Sequence, residues 1–579
     1  MKQNNYILKV IPLQPLLPNS PDFFIYFSSK KVKNGSLVEI DFKGKNTIGY
    51  VLNSQKLSEV KFLIKRLNYQ IKSIKKVLID KSTLTDYQKK IAFKISRYYY
   101  LSLSHSFYLF LKFYKKNKIS TLFKKIDIES SFQQTKGKFR VSILKKFNFS
   151  LIENNRCLII FPLKQQADSF YFNFKNKIPN LIYLNLEKIN NFEKYLDCLF
   201  SNKNYIFLGN KNIIFLPINN LDKIIVFNEG SIFYNEFFKI PKINYLEIIE
   251  IYAKLLKCQL IYIDDFLSLR TYLKFRILSY PKINFETFQR IEDLIKISPK
   301  EGLKKIFIFQ KNIGQKLSCL DCYYNFECEK CRNYLTILED SLFCNQCLLY
   351  KPLITYCPRC NSENLFIKKI GKEFIKKILL NNGFNFLDIA KDQDIKKINK
   401  NTKDCFIIGS WQILNIPSEY VFFINFDIAF FSDNLFLKEK YLRLLKHLEN
   451  YSKKIFVHTS LSKNFIDKIR QGQFIEDIIQ ERKFNYVPPF CYQVKLISRL
   501  SDLEKLNFRL LTLKERLKNK INKESSEIKI LGPFLERYLK VKKRYQMYIL
   551  LKSKKRINLK KLLEDEKYIE EIKFDDYDI

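Results

Sequence analysis

The chain has 579 residues, 46% of them hydrophobic, and a formal net charge of +44 at pH 7. This length is enough for about four domains of roughly 150 residues, each with its own core, which predicts a soluble multidomain protein. The N-terminal residues contain no compact apolar segment before a small-residue cleavage site, and the apolar run from Tyr420 to Phe431 is broken by Asn425 and Asp427. The sequence therefore predicts neither a signal peptide nor a membrane span.

The basic charge favours a polyanionic partner, because lysines that neutralise phosphates release counterions and bind without regard to base sequence. The chain is also rich in Lys, Asn, Ile, Phe and Tyr, with 13 Gly, 16 Pro and 1 Trp, as a genome under pressure towards A and T would encode. Solvated surface lysine is therefore the alternative explanation. Thirteen cysteines without a leader indicate a reducing compartment and predict a cytoplasmic protein.

Short strands followed by a helix are predicted from about residue 6 to residue 111. LVEIDF at 37–42 alternates apolar and polar side chains, a turn follows at Lys43 and Gly44, and TIGYVL then resumes the alternation. This pattern predicts a small β domain. The lysine-rich stretch that follows it and runs to Lys138 has no apolar periodicity, which predicts a linker.

Short apolar runs separated by helical segments continue from about residue 155. Strands of a parallel sheet covered on both faces are apolar throughout, so this pattern predicts two α/β units, the second interrupted by a cysteine cluster. The last hundred residues predict a small α+β domain, with a helix-prone segment at 560–572. The predicted strands lie at 157–161, 180–186, 205–209, 223–227, 259–263, 304–309, 405–409, 420–426 and 453–459.

Eight cysteines in four CxxC pairs form that cluster. Each pair is a tight knuckle that offers two thiolates to one tetrahedral ion, so eight thiolates predict two zinc sites. No histidine lies nearby and no ligand position stays open, which predicts structural sites; Fe–S clusters and unpaired buried thiols are the alternatives. The predicted ligands are Cys319, Cys322, Cys328, Cys331, Cys344, Cys347, Cys357 and Cys360.

The order of these features resembles the bacterial primosomal protein N′ family, PriA. The likeness is carried by the eight-cysteine insertion, by NGSLVEIDFKGKNTIGYVL near the N-terminus, by YVPPF at 486–490, and by ILGPF followed by KKRYQMYILLK. The resemblance implies a nested metal pairing. One zinc would be held by Cys319, Cys322, Cys357 and Cys360, and the other by the inner four cysteines.

The resemblance also implies a multidomain α/β fold. It consists of a small β N-terminal DNA-binding domain, two RecA-like helicase lobes with an inserted double zinc-binding module, and a small α+β C-terminal domain. The expected limits are 1–112 for a 3′-DNA-end-binding domain, 113–290 for a degenerate first lobe, 291–318 and 361–480 for the second lobe, 319–360 for the two-zinc module, and 481–579 for the C-terminal domain.

Members of this family are ATP-dependent DNA helicases that recognise abandoned replication forks and promote reloading of the replicative helicase. The resemblance therefore implies DNA as a partner, forked or single-stranded with a 3′ end, together with primosome, helicase-loading and single-strand-binding proteins, and no membrane. Two Zn2+ ions, ATP and Mg2+ are the implied cofactors. Residues 22–24 and 42–44 stand where the family has its F-D-Y and P-F-G segments.

The phosphate-binding loop of the family's motor is poorly kept. Such a loop needs glycines, a lysine for the phosphates and a hydroxyl for magnesium. The best candidate, FQQTKGKF at 132–139, keeps Gly137 and Lys138 but has Phe139 in place of the hydroxyl. A plain Lys-Gly-Lys linker is the other interpretation of this segment.

Other elements of the motor are also eroded. The acidic box D-E-E-H is reduced to Glu229, and a G-R-A-G-R motif with its arginine finger cannot occur because no glycine lies between Gly409 and Gly472. Gly137, Lys138 and Glu229 are thus expected to be remnants of an ATP and Mg2+ site, and no catalytic residue is identified. Whether this chain is an enzyme is left open by its sequence, although loss of ATP hydrolysis is favoured.

Three functions are compatible with these observations. The leading prediction is a PriA-like replication restart protein that binds DNA at stalled or abandoned forks and promotes primosome assembly and replicative helicase loading, without effective ATP hydrolysis. The alternative is an active ATP-dependent 3′ to 5′ DNA helicase of the same family, whose altered motifs still work weakly. A third interpretation, a zinc-stabilised RNA-binding or assembly protein, rests mainly on lysine content.

Overall fold

The protein folds into two compact units, residues 1–267 with 556–567, and residues 268–555 with 568–579. Both units combine helices with β-sheets, so the chain is a multidomain α/β protein. The computed structural model describes the chain apart from residues 1–4, 19, 65–70, 113–138, 186–197, 199–200, 202, 219, 235–242, 278–279, 300, 309–315, 320, 323, 330–333, 339–340, 345–348, 390–403, 415, 431–433, 524–526, 540–543, 564–565, 567–568 and 575–579.

An N-terminal sheet opens the first unit, with strands β1 (Tyr6–Pro12), β2 (Phe24–Ser28), β3 (Leu37–Phe42), β4 (Lys45–Lys56), β5 (Lys72–Ser73) and β6 (Lys76–Ile79). The order is β5-β2-β1-β4-β3-β6, antiparallel except for the β2–β5 pair. Alternate side chains such as Leu8, Val10, Val38 and Ile40 form its core, as the period of two predicted. Helices α1 (Leu57–Ile64), α2 (Asp86–Tyr98) and α3 (Leu103–Leu111) accompany the sheet.

A fully parallel sheet forms the rest of the first unit. Its strands are β7 (Arg140–Leu144), β8 (Cys157–Phe161), β9 (Leu181–Tyr183), β10 (Ile206–Asn210), β11 (Lys223–Phe227) and β12 (Gln259–Ile263), in the order β7-β12-β11-β8-β10-β9. Every residue of β8 is buried, as expected for a strand inside a covered parallel sheet. Helix α4 (Lys164–Phe174) packs on β8 and β10, and α5 (Tyr245–Leu256) packs on β12.

The second unit contains a further parallel sheet of the same kind. Its order is β13 (Glu286–Phe288), β23 (Ser452–His458), β22 (Ser418–Ile424), β14 (Lys304–Ile308), β21 (Phe406–Gly409) and β20 (Phe386–Ile389). The helices of this part are α6 (Leu269–Phe275), α7 (Asp293–Ile297), α8 (Lys372–Asn381), α9 (Leu435–Glu449), α10 (Lys463–Arg470) and α11 (Phe474–Phe484).

One predicted domain limit needs correction at the start of this sheet. Strand β13 pairs with β23 in the second sheet, whereas the predicted limit after residue 290 left residues 286–288 in the first lobe. The strand is three residues long, and of these Phe288 alone is buried. A single buried side chain gives no periodic pattern, so the sequence carried no signal for this edge strand.

The inserted cysteine module lies between β14 and β20 and has short antiparallel strands. Strand β15 (Lys316–Cys319) pairs with β19 (Leu365–Lys369), which joins the two ends of the insertion. Strands β16 (Thr336–Leu338), β17 (Ser341–Cys344) and β18 (Leu349–Pro352) form a separate three-stranded sheet. The module therefore lies in sequence between two strands of the second parallel sheet.

The C-terminal residues build an antiparallel sheet in the second unit. Strands β25 (Ile528–Leu539), β26 (Arg544–Ser553), β24 (Tyr492–Leu500) and β27 (Glu571–Phe574) are paired in this order, with α12 (Leu503–Lys523) against the first three. Among the described residues, no helix has both the length and the apolar character needed to cross a lipid bilayer.

Two expectations for this C-terminal part were wrong. The segment 556–567, with helix α13 (Leu559–Leu562), belongs to the first unit and not to a continuous domain over 481–579. The helix-prone segment 560–572 also ends in β27, because Glu571 and Ile572 pair with β24. Pairing with a long neighbouring strand outweighs a weak local preference for helix.

Candidate functional site

Four cysteines meet where the two ends of the inserted module come together. Cys319 is the last residue of β15, and Cys322 follows it in a turn. Cys357 and Cys360 lie in the loop between β18 and β19. The Sγ atoms of all four residues lie within 4.8 Å of one another. The pairing of β15 with β19 therefore assembles the first and the last CxxC pair into one cluster.

Backbone hydrogen bonds shape the second of these two knuckles. The N–H of Asn361 donates to the carbonyl of Cys357 over 2.8 Å, and the N–H of Cys357 donates to the carbonyl of Ser362 over 2.8 Å. Asn361 has a φ of 56°, a left-handed conformation that asparagine tolerates. The hydroxyl of Ser362 is also hydrogen-bonded to the carboxylate of Asp321 in the first knuckle. These bonds hold the two knuckles against each other.

Nearby N–H groups also favour the thiolate form of Cys357. Burial raises the pKa of this thiol, but the N–H groups of Arg359 and Cys360 and the neighbouring thiols lower it, with a net pKa of about 7. The N–H of Arg359 lies 3.4 Å from the Cys357 Sγ. Because metals bind the thiolate and not the thiol, this knuckle is suited to a cation.

The geometry of the cluster fits a tetrahedral zinc ion. A Zn–S distance of about 2.3 Å places the sulfurs of such a site about 3.8 Å apart. The Sγ atoms of Cys319 and Cys360 are 3.6 Å apart, and those of Cys322 and Cys357 are 3.5 Å apart. Both distances are well beyond the ~2.05 Å of a disulfide. These four residues can hold one metal ion, and they are the four that the resemblance assigned to one zinc.

The structure describes the inner four cysteines in part. Cys328 and Cys344 are buried with Phe326 and Leu342 in the small core of the module. Cys331 and Cys347 lie outside the described residues. The second zinc site therefore stays a prediction.

Aromatic rings cover the carboxyl ends of the central strands in the parallel sheet of the first unit, residues 140–263, which we call the first lobe. Phe161 ends β8 and Phe227 ends β11, and their rings stack with centroids 4.4 Å apart and planes at 14°. Phe147, three residues after β7, lies 5.8 Å from Phe227 and 5.4 Å from Phe170 of α4, measured between ring centroids. Because these strands are parallel, the rings gather at one edge of the sheet. We call Phe147, Phe161, Phe170 and Phe227 the aromatic cluster.

This edge is where parallel α/β sheets bind nucleotides, because the loops there present backbone N–H groups to phosphates. The loop after β7 instead reads Lys145, Lys146, Phe147 and Asn148, without a glycine, and leads into a 3-10 helix at Phe149–Leu151. Its aromatic side chain packs into the core of the lobe. The cluster was not predicted from the sequence. Phenylalanines that end the apolar runs at 157–161 and 223–227 are a partial signal for it, but the tertiary structure decides which strand ends lie side by side.

Among the described residues, Glu229 is the one expected remnant of the ATP site. Gly137 and Lys138 lie outside them. Their segment leads into the amino end of β7, whereas a phosphate-binding loop follows the carboxyl end of a strand. Glu229 is buried, two residues after β11, and the N–H of the adjacent Gly230 donates to the Asp264 Oδ2 over 2.6 Å. Asp264 directly follows β12 and was not singled out from the sequence.

Aromatic rings and lysines alternate on the N-terminal domain around residues 22–24 and 42–44. The rings of Phe24 and Phe42 have centroids 4.8 Å apart. The Nζ of Lys9 lies 5.0 Å from the ring centroid of Phe23, and that of Lys43 lies 5.7 Å from the ring centroid of Phe42. Phe42 is buried in the core of the domain, so Phe23 and Phe24 are the rings of this group on which a base could stack beside an ammonium group.

Comparison with known proteins finds a family model that matches the N-terminal domain. Residues 10–112 match the family model of the 3'DNA-binding domain (3'BD). The replication restart protein PriA of Buchnera aphidicola subsp. Schizaphis graminum is 28% identical over 539 residues, which cover 81% of this chain and 74% of that protein. The chain resembles the replication restart protein PriA. A second PriA, from Helicobacter pylori strain 26695, is 22% identical over 612 residues, covering 94% of this chain and 95% of that protein.

Two solved helicase structures are more distant. The NS3-like helicase from Alongshan virus gives a TM-score of 0.30 at 8% identity, over 57% of this chain and 74% of that one. A DEAD box protein from the hyperthermophile Methanococcus jannaschii gives a TM-score of 0.27 at 10% identity, over 60% of this chain and 87% of that one. Likenesses this weak assign neither fold nor function, so the resemblance to PriA rests on the sequence matches.

Proposed function

We propose that this chain is a PriA-like replication restart protein that binds DNA at stalled or abandoned forks and promotes primosome assembly and replicative helicase loading without effective ATP hydrolysis. Its N-terminal domain would bind the DNA, and two structural zinc ions would hold the inserted module. The observation that carries the loss of ATP hydrolysis is the aromatic cluster at the strand ends of the first lobe.

DNA binding is supported by three observations of different kinds. The match to the 3'DNA-binding domain covers residues 10–112. The lysines at 9 and 43 stand over aromatic rings on this domain. The formal net charge of the chain is +44, which attracts phosphate backbones in general. The first two observations concern a single domain and therefore support a specific binding face beyond what overall charge provides.

Loss of ATP turnover is supported by packing. A triphosphate at the usual edge of the sheet would need the space that Phe147 and Phe227 fill. Both rings are partly buried against the buried Phe161 and Phe170, and exposing a fully buried phenylalanine would cost about 1.5–3 kcal/mol. The loop after β7 also has no glycine that would let several N–H groups converge on a phosphate. Binding and turnover would therefore be opposed both by the filled space and by the shape of the loop.

An active helicase of the same family is the second candidate. It is favoured by Glu229 and Asp264, two carboxyl groups that follow adjacent parallel strands at the edge where a magnesium ion would lie. Against it, the Asp264 carboxylate already accepts a hydrogen bond from the N–H of Gly230.

Phosphate release in the presence of forked DNA and magnesium separates the two candidates. We expect the wild-type chain to release no more phosphate than a buffer control, and Lys138→Ala to bind forked DNA as tightly as wild type. Titration with a fluorescent ATP analogue should detect no binding up to millimolar concentrations, because of the aromatic cluster. Turnover that Lys138→Ala abolishes would mean that the motor is active and would reject the proposal.

A further inference from the structure

A short C-terminal segment between β26 and β27 belongs to the first unit, although the chain on either side of it belongs to the second. We call residues 556–563 of this segment the strap. Its apolar side chains are buried, and this burial holds it against the unit. The buried apolar residues of the strap are Ile557, Leu559, Leu562 and Leu563.

The first residue of the strap, Arg556, is held by a largely buried ion pair. The guanidinium of Arg556 forms an ion pair with Glu247 of α5, and the two side chains are 18% and 8% exposed. Arg556 also lies 4.6 Å from the ring centroid of Tyr99, whose hydroxyl donates to the Glu247 Oε2 over 2.7 Å. The hydroxyl of Tyr100 donates to the carbonyl of Leu563 over 3.2 Å. The strap therefore bridges the end of α2 and helix α5 of the first lobe.

The middle of the strap is held by a weaker contact. Lys560 forms an ion pair with Asp22, and the two side chains are 26% and 46% exposed. The Nζ of Lys560 also lies 3.5 Å from the hydroxyl of Ser96 near the end of α2. A half-exposed ion pair contributes little to stability and is weakened by salt. Lys560 can therefore leave Asp22 while Arg556 stays in place.

This contact borders the aromatic and basic face of the N-terminal domain. Asp22 directly precedes Phe23, on whose ring Lys9 stands, and Phe24 packs against Phe42 beside Lys43. The contact between Lys560 and Asp22 therefore lies next to Phe23, where a strand stacked on that ring would meet the strap.

We propose that the strap is an autoinhibitory latch, in which Lys560 closes over Asp22 and restricts access of a nucleic-acid strand to the face around Phe23. This inference rests on the proposed DNA binding by the N-terminal domain. The strand displaces Lys560 from Asp22, while the anchor at Arg556 keeps the strap attached to the first lobe. The latch acts at the border of the face and leaves Lys9 and Lys43 free to bind phosphates.

The test compares two neighbouring lysines in the full chain. Lys560→Ala removes the latch, and Lys561→Ala removes the same charge from the exposed next residue of α13. With a labelled fork at fixed salt, we expect Lys560→Ala to bind about two- to fivefold more tightly than wild type, the range that an exposed ion pair supplies. Lys561→Ala should bind equally or slightly more weakly, because it loses a positive charge.

Hydrogen exchange measured without DNA reports the latch directly. Lys560→Ala should exchange faster over residues 559–563 and unchanged over 245–256, whereas Arg556→Ala should exchange faster over both. A Lys560→Ala variant that binds the fork as weakly as Lys561→Ala, or whose residues 559–563 exchange as in wild type, overturns the latch. A wild type that binds no DNA rejects the proposed function instead, and the exchange data alone then judge whether Lys560 fastens the strap.

Discussion

Lys305 is a buried lysine in the parallel sheet of the second unit, and among the described contacts no carboxylate pairs with it. It lies in β14, and its Nζ donates to the carbonyls of Ile416 at 2.7 Å and Leu414 at 3.5 Å. Burial lowers the pKa of its ammonium from 10.5 to about 7. The two carbonyl dipoles replace only part of the hydration that the ammonium loses on burial. The folded state therefore disfavours the charged form of this lysine. This residue is a cost to stability that no proposed function uses.

We expect Lys305→Met to stabilise the protein at pH 7. The folded-state pKa is below the unfolded one, so stability rises as pH increases from about 7 to 10.5 and is lost as pH falls. Methionine removes this penalty. The free energy of unfolding should increase by about 1–2 kcal/mol at pH 7, once the loss of two hydrogen bonds is included. Urea unfolding of wild type and variant should show a larger increase in the free energy of unfolding at pH 7 than at pH 9.5.

Lys453→Met is the matched control for this prediction. Lys453 lies on β23 of the same sheet, but its side chain is 76% exposed and paired with Glu419. The control should give no gain that depends on pH in this way. Equal gains for both variants, or a gain for Lys305→Met that grows at high pH, would contradict the assignment of Lys305 as a buried and destabilised cation.

Among elements, the cysteine module depends most on chemistry outside its own core. Its small sheet buries few apolar residues, around Leu342 and Phe326. A structural zinc ion supplies roughly 10 kcal/mol or more of folding free energy, which a module of this size needs. The module should therefore unfold locally when metal is removed, while the parallel sheets stay folded.

Substitution of one clustered cysteine tests this dependence. Cys357→Ser should lower bound zinc from two ions per chain to one, because a neutral hydroxyl is a poor zinc ligand in place of a thiolate. It should also abolish fork binding if the intact module is required for function. Zinc released by denaturation into a chromophoric chelator gives the stoichiometry.

The lone Cys198 provides the control for zinc content. It lies outside the CxxC pairs and is partly buried in the first lobe. Cys198→Ser should retain as much zinc as wild type. A wild-type chain with one zinc ion would refute the second site, and unchanged zinc in Cys357→Ser would refute the first.

Secondary-structure elements also differ in how well their own residues predicted them. Strands β3, β8, β11 and β12 have the ends that their apolar patterns predicted, because their side chains are buried in a regular period. Strand β27 was taken for helix, and β13 was not noticed, since each is short and held mainly by a partner strand. Partner strands are distant in sequence, so local patterns carry little information about them.

For the whole molecule, unspecific binding through lysines and a specific binding face make different predictions about DNA binding. A protein that binds through unspecific lysines should bind duplex DNA, forked DNA and structured RNA alike, with an affinity that falls steeply with salt. A specific binding face on the N-terminal domain should give a fork preference that persists at physiological salt.

We expect the full chain to bind a fork with a free 3′ end at least about tenfold more tightly than duplex DNA or structured RNA at 150 mM salt, a ratio of about 1.4 kcal/mol. Fluorescence anisotropy over a series of salt concentrations measures both affinity and slope. The slope of the logarithm of affinity against the logarithm of salt concentration should correspond to about ten phosphate contacts or fewer. This number is well below the total of 102 Lys and Arg residues. Equal affinities for the three ligands would favour the RNA-binding or assembly alternative.

The amino-acid sequence alone was sufficient for the cysteine spacing and for most strands of the two parallel sheets. These features depend on coordination chemistry and side-chain periodicity, which act over a few residues. Four of the eight cysteines are described as a cluster with the expected partners.

The tertiary structure decided the features that join distant residues. Phe147, Phe161 and Phe227 meet because parallel strands end at a common edge, and their packing at the strand ends could not be read from local pattern. The strap contacts residues more than 300 positions away, such as Glu247 and Asp22. Packing between distant residues depends on topology, which a local pattern does not encode, so these contacts were found only in the folded chain.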